Sequence, residues 1–201
     1  KIGYIYIPDM GPEGLNEFSR YFYPQLDKEG LIIDDRANGG GNVSPMILER
    51  LSREPYRLTM RRGSARIGTV PDAVQVGPKV CLINKYSASD GDLFPWGFRA
   101  LGLGKLIGTR TWGGIVGISG SLPYMDGTDI RVPFFTSFDP KTGSWIIENH
   151  GVDPDILIDN DPVKEWNGED QQLDRAIQEV MKELQDRKPL PGVPTPRDFS
   201  K

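Results

Sequence analysis

A chain of 201 residues is long enough to bury a real core and, at about 150 residues per domain, reads as one compact unit. Its 24 basic residues against 28 acidic ones leave a formal charge of −4, which argues against a phosphate-neutralising surface for nucleic acid, while a single cysteine and a single histidine leave no material for a disulfide framework, a cysteine-based zinc cage or a multi-histidine metal site. With 24 glycines and 17 prolines the chain is too interrupted for a helical bundle, yet its 37% hydrophobic residues argue against disorder, so the composition points to a loop-rich α/β protein.

No stretch approaches the ~20 consecutive apolar residues of a membrane-spanning helix. The opening, Lys1-Ile2-Gly3-Tyr4-Ile5-Tyr6-Ile7, alternates like a strand and has neither the apolar core nor the cleavage site of a signal peptide, so the chain reads as starting inside a folded unit, with a segment missing upstream. Gly11-Pro12 precedes Leu15, Phe18, Phe22 and Leu26 at helical spacing, and Gly30 closes that segment before the apolar run Leu31-Ile32-Ile33, giving strand, helix, strand. A second helix is expected from about Ser44-Pro45 to Ser52, with serine as N-cap and proline in the first helical position, and Tyr56 to Met60 reads as extended. Val80-Cys81-Leu82-Ile83 has the apolar, β-branched character of a buried parallel strand, which makes Cys81 an inert core residue. Asp92 to Leu101 then carries Leu93, Phe94, Phe98 and Leu101 at helix spacing, so the turn before it sits at a strand's carboxyl end, where open α/β sheets bind ligands. From Leu106 to Ile158 short strand-like pieces alternate with Gly, Asp and Pro turns, Asp126-Gly127 being a hairpin signal. Leu173, Ile177, Val180, Met181 and Leu184 line one face of a last helix capped by Asp170, and Pro189, Pro191, Pro194 and Pro196 end regular structure. The expected organisation is a core domain over residues 1–188 and an extended Pro-rich tail over 189–201.

Two Gly/Ser-rich turns follow the two most apolar strands. Asp34-Asp35-Arg36-Ala37-Asn38-Gly39-Gly40-Gly41 ends in three glycines that leave the backbone uncovered and free to adopt positive φ, so its N–H groups can point into a cleft; taken alone, the triplet equally suits a flexible strand-to-helix turn. Asn84-Lys85-Tyr86-Ser87-Ala88-Ser89-Asp90-Gly91-Asp92 puts serines where a helix N-terminus stabilises developing negative charge, although the ordinary role of a serine there is to cap the helix. It departs from the Gly-x-Ser-x-Gly hydrolase elbow, because Ser87 replaces the first glycine.

Together these turns resemble the tail-specific, or C-terminal-processing, serine peptidase superfamily across nearly the whole chain. The Asp-x-Arg-x-Asn-x-Gly-Gly pattern falls on Asp34, Arg36, Asn38, Gly40 and Gly41; the Ser-Ala-Ser nucleophile turn falls on Ser87-Ala88-Ser89; and Gly-Val-x-Pro-Asp falls on Gly151-Val152-Asp153-Pro154-Asp155. The resemblance implies a crotonase/ClpP-like α/β fold with a mostly parallel sheet, a strand-rich second half and a C-terminal helix. It also implies Ser89 as nucleophile and an oxyanion hole made by the N–H groups of Gly41 and Asp90. Members with a Ser–Lys dyad carry a lysine where Gly114 stands here, so that base is lacking. The chain is more similar to the tricorn-type branch, through Ser-Ala-Ser-Asp-Gly-Asp and a glutamate before Gly-Val-x-Pro-Asp. By that likeness Glu148 is the acidic member of a Ser-His-Ser-Glu tetrad whose histidine and other serine come from an upstream segment.

His150 is the one alternative base within the chain; two residues from Glu148 on a strand, it would share that residue's face and suit pairing with Glu148 as well as service to Ser89. Near Thr59 to Arg62 the resemblance places an aspartate of the primary specificity pocket, but Met60 and Arg61 stand there, so apolar or acidic substrate side chains are expected rather than basic ones. The overall reading is a serine endopeptidase core acting on peptides or unfolded chains, with no metal or organic cofactor implied, a peptide as substrate, no nucleic-acid or membrane partner, and homo-oligomerisation left open. Without the upstream base the isolated chain is expected to fold but to hydrolyse peptides poorly. Two alternatives stay open: a crotonase-fold acyl-CoA enzyme, which shares the two-N–H oxyanion hole, and a peptide-binding module without catalysis.

Overall fold

Residues 1–64 and 66–195 are described by a computed structural model. The opening alternation forms β1 (Ile2–Tyr6), and the helix after it, α1 (Pro12–Phe22), uses Pro12 in its first turn, where a missing N–H costs nothing. The two apolar runs form β2 (Gly30–Asp34) and β5 (Lys79–Ile83), each buried along its whole length. Between them lie α2 (Ser44–Leu51) and an antiparallel hairpin of β3 (Arg57–Met60) and β4 (Ile67–Val70). Then follow α3 (Asp90–Ala100), β6 (Gly104–Gly108), the hairpin β7 (Gly117–Pro123) and β8 (Asp129–Phe135), the short β9 (Ile156–Leu157), α4 (Pro162–Trp166) and α5 (Gln171–Asp186).

The central sheet runs in the order β1-β2-β5-β6-β9 and every pairing in it is parallel. Helices cover both of its faces, which is why β2 and β5 read as continuous apolar runs instead of alternating. On one face Ile5, Leu31, Ile33, Cys81, Ile83 and Leu106 pack against Phe18 and Phe22 of α1, Ile47 and Leu51 of α2, and Phe94 and Phe98 of α3. On the other, Ile32, Val80, Leu82 and Ile107 meet Ala176 and Val180 of α5. The expected α/β architecture with a mostly parallel sheet and a C-terminal helix is thus the one adopted.

Several local expectations change. Asp170 caps α5 as expected, its carboxylate accepting from the Leu173 N–H, and Val180, Leu173 and Leu184 pack on the sheet as expected, but Gln172, Ala176 and Glu179 are also buried and Ile177 is 39% exposed. Val43, not Ser44, occupies the N-cap of α2, and Ser44 is its first helical residue. In the second half, Asp126-Gly127 does turn the β7–β8 hairpin, with Gly127 at φ +84° and the Tyr124 N–H donating to the Thr128 carbonyl at 2.8 Å. Residues 148–150, however, form a turn and not a strand, with Asn149 at φ +62°. Residues 187–195 carry neither helix nor strand; the remainder of the anticipated tail, 196–201, lies outside the described residues.

Candidate active site

The two Gly/Ser-rich turns leave β2 and β5 side by side at the carboxyl edge of the sheet, since those strands are paired neighbours. Charged residues brace the first turn from behind. Arg36 donates through Nε and Nη2 to the two oxygens of Asp34 at 2.9 and 2.6 Å, and through Nη1 to Asp170 and Gln172 at 3.0 and 3.1 Å, so one guanidinium ties the end of β2 to the start of α5. Tyr4 on the neighbouring strand donates its hydroxyl to Asp34 at 2.7 Å. Asp34 and Arg36 therefore hold the turn's base and face away from the chemistry.

Asn38, fully buried, ties the two turns together. Its Nδ2 donates to the Ile7 carbonyl at 3.2 Å, its Oδ1 accepts from the Gly40 N–H at 2.9 Å, and its own carbonyl accepts from the Ala88 N–H at 2.8 Å. Gly40 (φ +98°) then passes so close to the second turn that a Cβ there would lie 2.7 Å from the Ser89 Cβ and 2.8 Å from the Ala88 carbonyl. The glycines are required by this approach of one backbone to another. Gly41 (φ +150°) crosses beside Met10, and among the described residues no acceptor meets its N–H.

Ser89 stands at the N-cap position of α3 with φ +57° and ψ −119°, a conformation costly for any residue with a Cβ, and its side chain makes no capping hydrogen bond. A serine placed only to cap would be in extended backbone and bonded to the helix. Ser87 does not cap either: its buried hydroxyl donates to the Asp35 carbonyl at 2.8 Å and accepts from the Asn84 N–H at 3.3 Å, joining the two turns a second time. Asp90, as the first residue of α3, contributes an N–H with no intrahelical acceptor. Its buried carboxylate is occupied by Ser44, which donates its backbone N–H at 2.9 Å and also its hydroxyl. That contact explains why Ser44 is inside α2 and not at its cap.

The structure thus brings Gly40 against Ser89 and Asp90 at the facing turns, with Gly41 the next residue in the chain. Glu148 lies against the loop of residues 111–116, where its Oε2 accepts from the N–H groups of Ile115 and Val116 at 2.6 and 2.9 Å. His150 does not share Glu148's face; its Nε2 sits 2.7 Å from Asp153 Oδ2, and among the described residues no hydrogen bond joins it to Ser89. Met60 and Arg61 are exposed on the β3–β4 hairpin, which forms a sheet of its own. Cys81 is fully buried, and burial pushes its thiol well above the usual range, as an inert core residue requires.

Sequence reasoning missed Asp35. Its carboxyl is fully buried with no hydrogen-bond partner on either oxygen. Burial, followed by the neighbouring charge of Asp34 and more weakly those of Asp90 and Asp92, holds it well above the ordinary carboxylate range, Asn38 alone pulling the other way. The only signal in the sequence is a second acid where the strand's apolar run should hand over to the turn. Folding therefore retains a proton that the unfolded chain releases, so the stability Asp35 permits is complete below the ordinary carboxylate range and is lost as pH rises through the raised folded value. One such group changes stability by about 1.4 kcal/mol per pH unit within that window. Asp35→Val is expected to flatten the fall of the thermal midpoint as pH rises above the ordinary carboxylate range, leaving a residual slope from Asp92, which burial also raises. Parallel midpoint curves for variant and parent would refute this.

Residues 1–158 match Peptidase family S41. This chain belongs to peptidase family S41. It is 45% identical over 188 residues to the tricorn protease of Thermoplasma volcanium, an alignment that covers 92% of this chain and 18% of that protein. The crystal structure of the tricorn protease superposes with a TM-score of 0.85 at 44% identity, over 92% of this chain and 18% of that one. The photosystem II D1 C-terminal processing protease shares the fold at a TM-score of 0.57 and 22% identity, over 79% and 42% of the two chains. The chain thus spans about a fifth of the length of the tricorn relatives it matches.

Proposed function

We propose that this chain carries the nucleophile and oxyanion hole of an endopeptidase that hydrolyses peptides or unfolded chains through an acyl-enzyme on Ser89. The observation that carries the reading is Ser89 itself: an unfavourable backbone conformation at a helix N-terminus, a side chain released from capping, and the glycine turn packed against it at Gly40. Ser89 Oγ attacks the scissile carbonyl carbon and gives its proton to a base; the C–O⁻ that forms lies between the two N–H groups, favoured by the positive end of α3. Collapse expels the amine with that proton, and water, deprotonated by the same base, releases the acid and regenerates Ser89. Among the described residues no hydrogen bond joins His150 to Ser89, and its Nε2 is turned to Asp153, so the proton acceptor is assigned to a segment outside these 201 residues, with Glu148 as its acidic support. The tricorn relatives' likeness supports that assignment.

Met60 and Arg61 bear on specificity, because an arginine-bearing hairpin gives no electrostatic reason to prefer a basic side chain. A panel of fluorogenic peptides, assayed with the base-supplying segment present and beside an acyl-CoA thioester, tests the reading. Cleavage after apolar or acidic residues with the thioester untouched is expected. A profile dominated by Lys or Arg would contradict the specificity, and thioester turnover without peptide cleavage would contradict the reaction class.

A further inference from the structure

Residues 113–116 present four consecutive backbone N–H groups, and two carboxylates divide them. Asp92 accepts from Gly113 at 2.8 Å and from Gly114 at 3.4 Å, while Glu148 accepts from Ile115 and Val116. Asp92 is fully buried in the first turn of α3, three residues after Ser89, and the Ser89 backbone N–H and the Thr111 hydroxyl also face its carboxylate. This spacing is that of a capping box, in which the third helical residue reaches back to the N-cap amide. The same loop is tied to the nucleophile turn by the Trp112 N–H, which donates to the Ser87 carbonyl at 2.9 Å. A continuous chain of bonds, buried at Gly113 and part-buried beyond it, therefore runs from Ser89 through Asp92 and the loop to Glu148. Any shift of the loop leaves a donor or acceptor that the fold now pairs without its partner.

We propose that Asp92 is a positioning residue: it fixes the loop of residues 113–116 against the nucleophile helix, and through that loop sets the place of the Glu148 carboxylate relative to Ser89. Asp92 touches no reacting atom. The Oε2 of Glu148 is taken up by two amides, and among the described residues Oε1 makes no hydrogen bond, so the loop determines where that remaining oxygen can meet a proton-relaying group. This rests on Ser89 as nucleophile and Glu148 as the acidic member.

Asp92→Asn keeps the side chain's shape and turns one acceptor oxygen into a donor facing an amide. In the protein carrying this sequence with its base-supplying segment, kcat is expected to fall ~10- to 100-fold with KM within about twofold, since misplacement of catalytic groups by an ångström has effects of that order. In a Glu148→Gln background the same change is expected to add less than about threefold, because groups acting as one unit are not additive. Losses that multiply in the double variant, or a lowered unfolding midpoint with kcat per folded molecule unchanged, would overturn the proposal. Amide hydrogen exchange on this chain supplies a readout independent of turnover: Asp92→Asn should speed exchange at Ile115 and Val116, which Glu148 holds, as well as at Gly113 and Gly114. Unchanged protection at Ile115 and Val116 would overturn it even where the variant is too unstable for kinetics. Ser89→Ala separates the two readings. Hydrolysis that survives it removes the nucleophile assignment and the proposal together, whereas its loss beside a silent Asp92→Asn removes the positioning role alone.

Discussion

Ser89→Ala is expected to lower kcat by about 10⁶-fold, the scale of losing a serine nucleophile, with folding retained, because the Ser89 side chain makes no capping bond whose loss would destabilise α3. Ser87→Ala is expected to behave in the opposite way. Its hydroxyl joins Asp35 and Asn84 inside the protein, so removal costs about 1–3 kcal/mol of stability while the folded fraction keeps most of its turnover. The pair of variants, compared by kcat and by thermal midpoint, separates a chemical from a structural serine. Equal losses of turnover would refute the assignment of Ser89.

Gly41→Ala is the second large effect. At φ +150° the residue runs alongside Met10, and a Cβ would overlap the Met10 carbonyl, which already accepts from the N–H groups of Asn42 and Val43 at 2.8 and 3.0 Å. Neither partner can yield without breaking those bonds, so the turn itself must move and carry the Gly41 N–H away from the oxyanion. Loss of one such donor costs about 10²- to 10³-fold in kcat, with a smaller effect on KM because the interaction strengthens only as the oxyanion forms. Steady-state kinetics beside a circular-dichroism melt would decide this; kcat near that of the parent in a folded Gly41→Ala protein would exclude Gly41 as a donor.

What the sequence made legible is what local physics determines. Leu31-Ile32-Ile33 and Val80-Cys81-Leu82-Ile83 announce buried parallel strands because both faces of such strands are covered, and Asp170 announces its helix because a cap is read within three residues. The glycines and serines of the two turns suit an ordinary turn and a helix cap equally well, and only the family resemblance pointed them toward chemistry. The face of α5 was legible in Leu173, Val180 and Leu184 but its edge was not: Ile177 fits a helical stripe as well as Ala176 does, and only the position of the sheet decides which is covered. The short α4 and β4 are too brief to impose a period on the sequence. Ser44 resembles a cap from its neighbours alone, and the carboxylate that claims it, Asp90, is 46 residues away. His150 and Glu148 were assigned one face by a strand alternation that the left-handed Asn149 breaks. Asp35 and Asp92 matter through burial and through partners distant in sequence, which composition does not reveal.

Covalent trapping distinguishes an activated Ser89 nucleophile beside a two-amide oxyanion hole from an ordinary surface serine. The protein, with its base-supplying segment present, is incubated with a fluorophosphonate, digested and mapped by mass spectrometry. The account predicts one phosphonylated residue, Ser89, with labelling lost in Ser89→Ala and kept in Ser87→Ala. Modification at Ser87 or at another serine, or no modification of a sample that hydrolyses peptides, would contradict it.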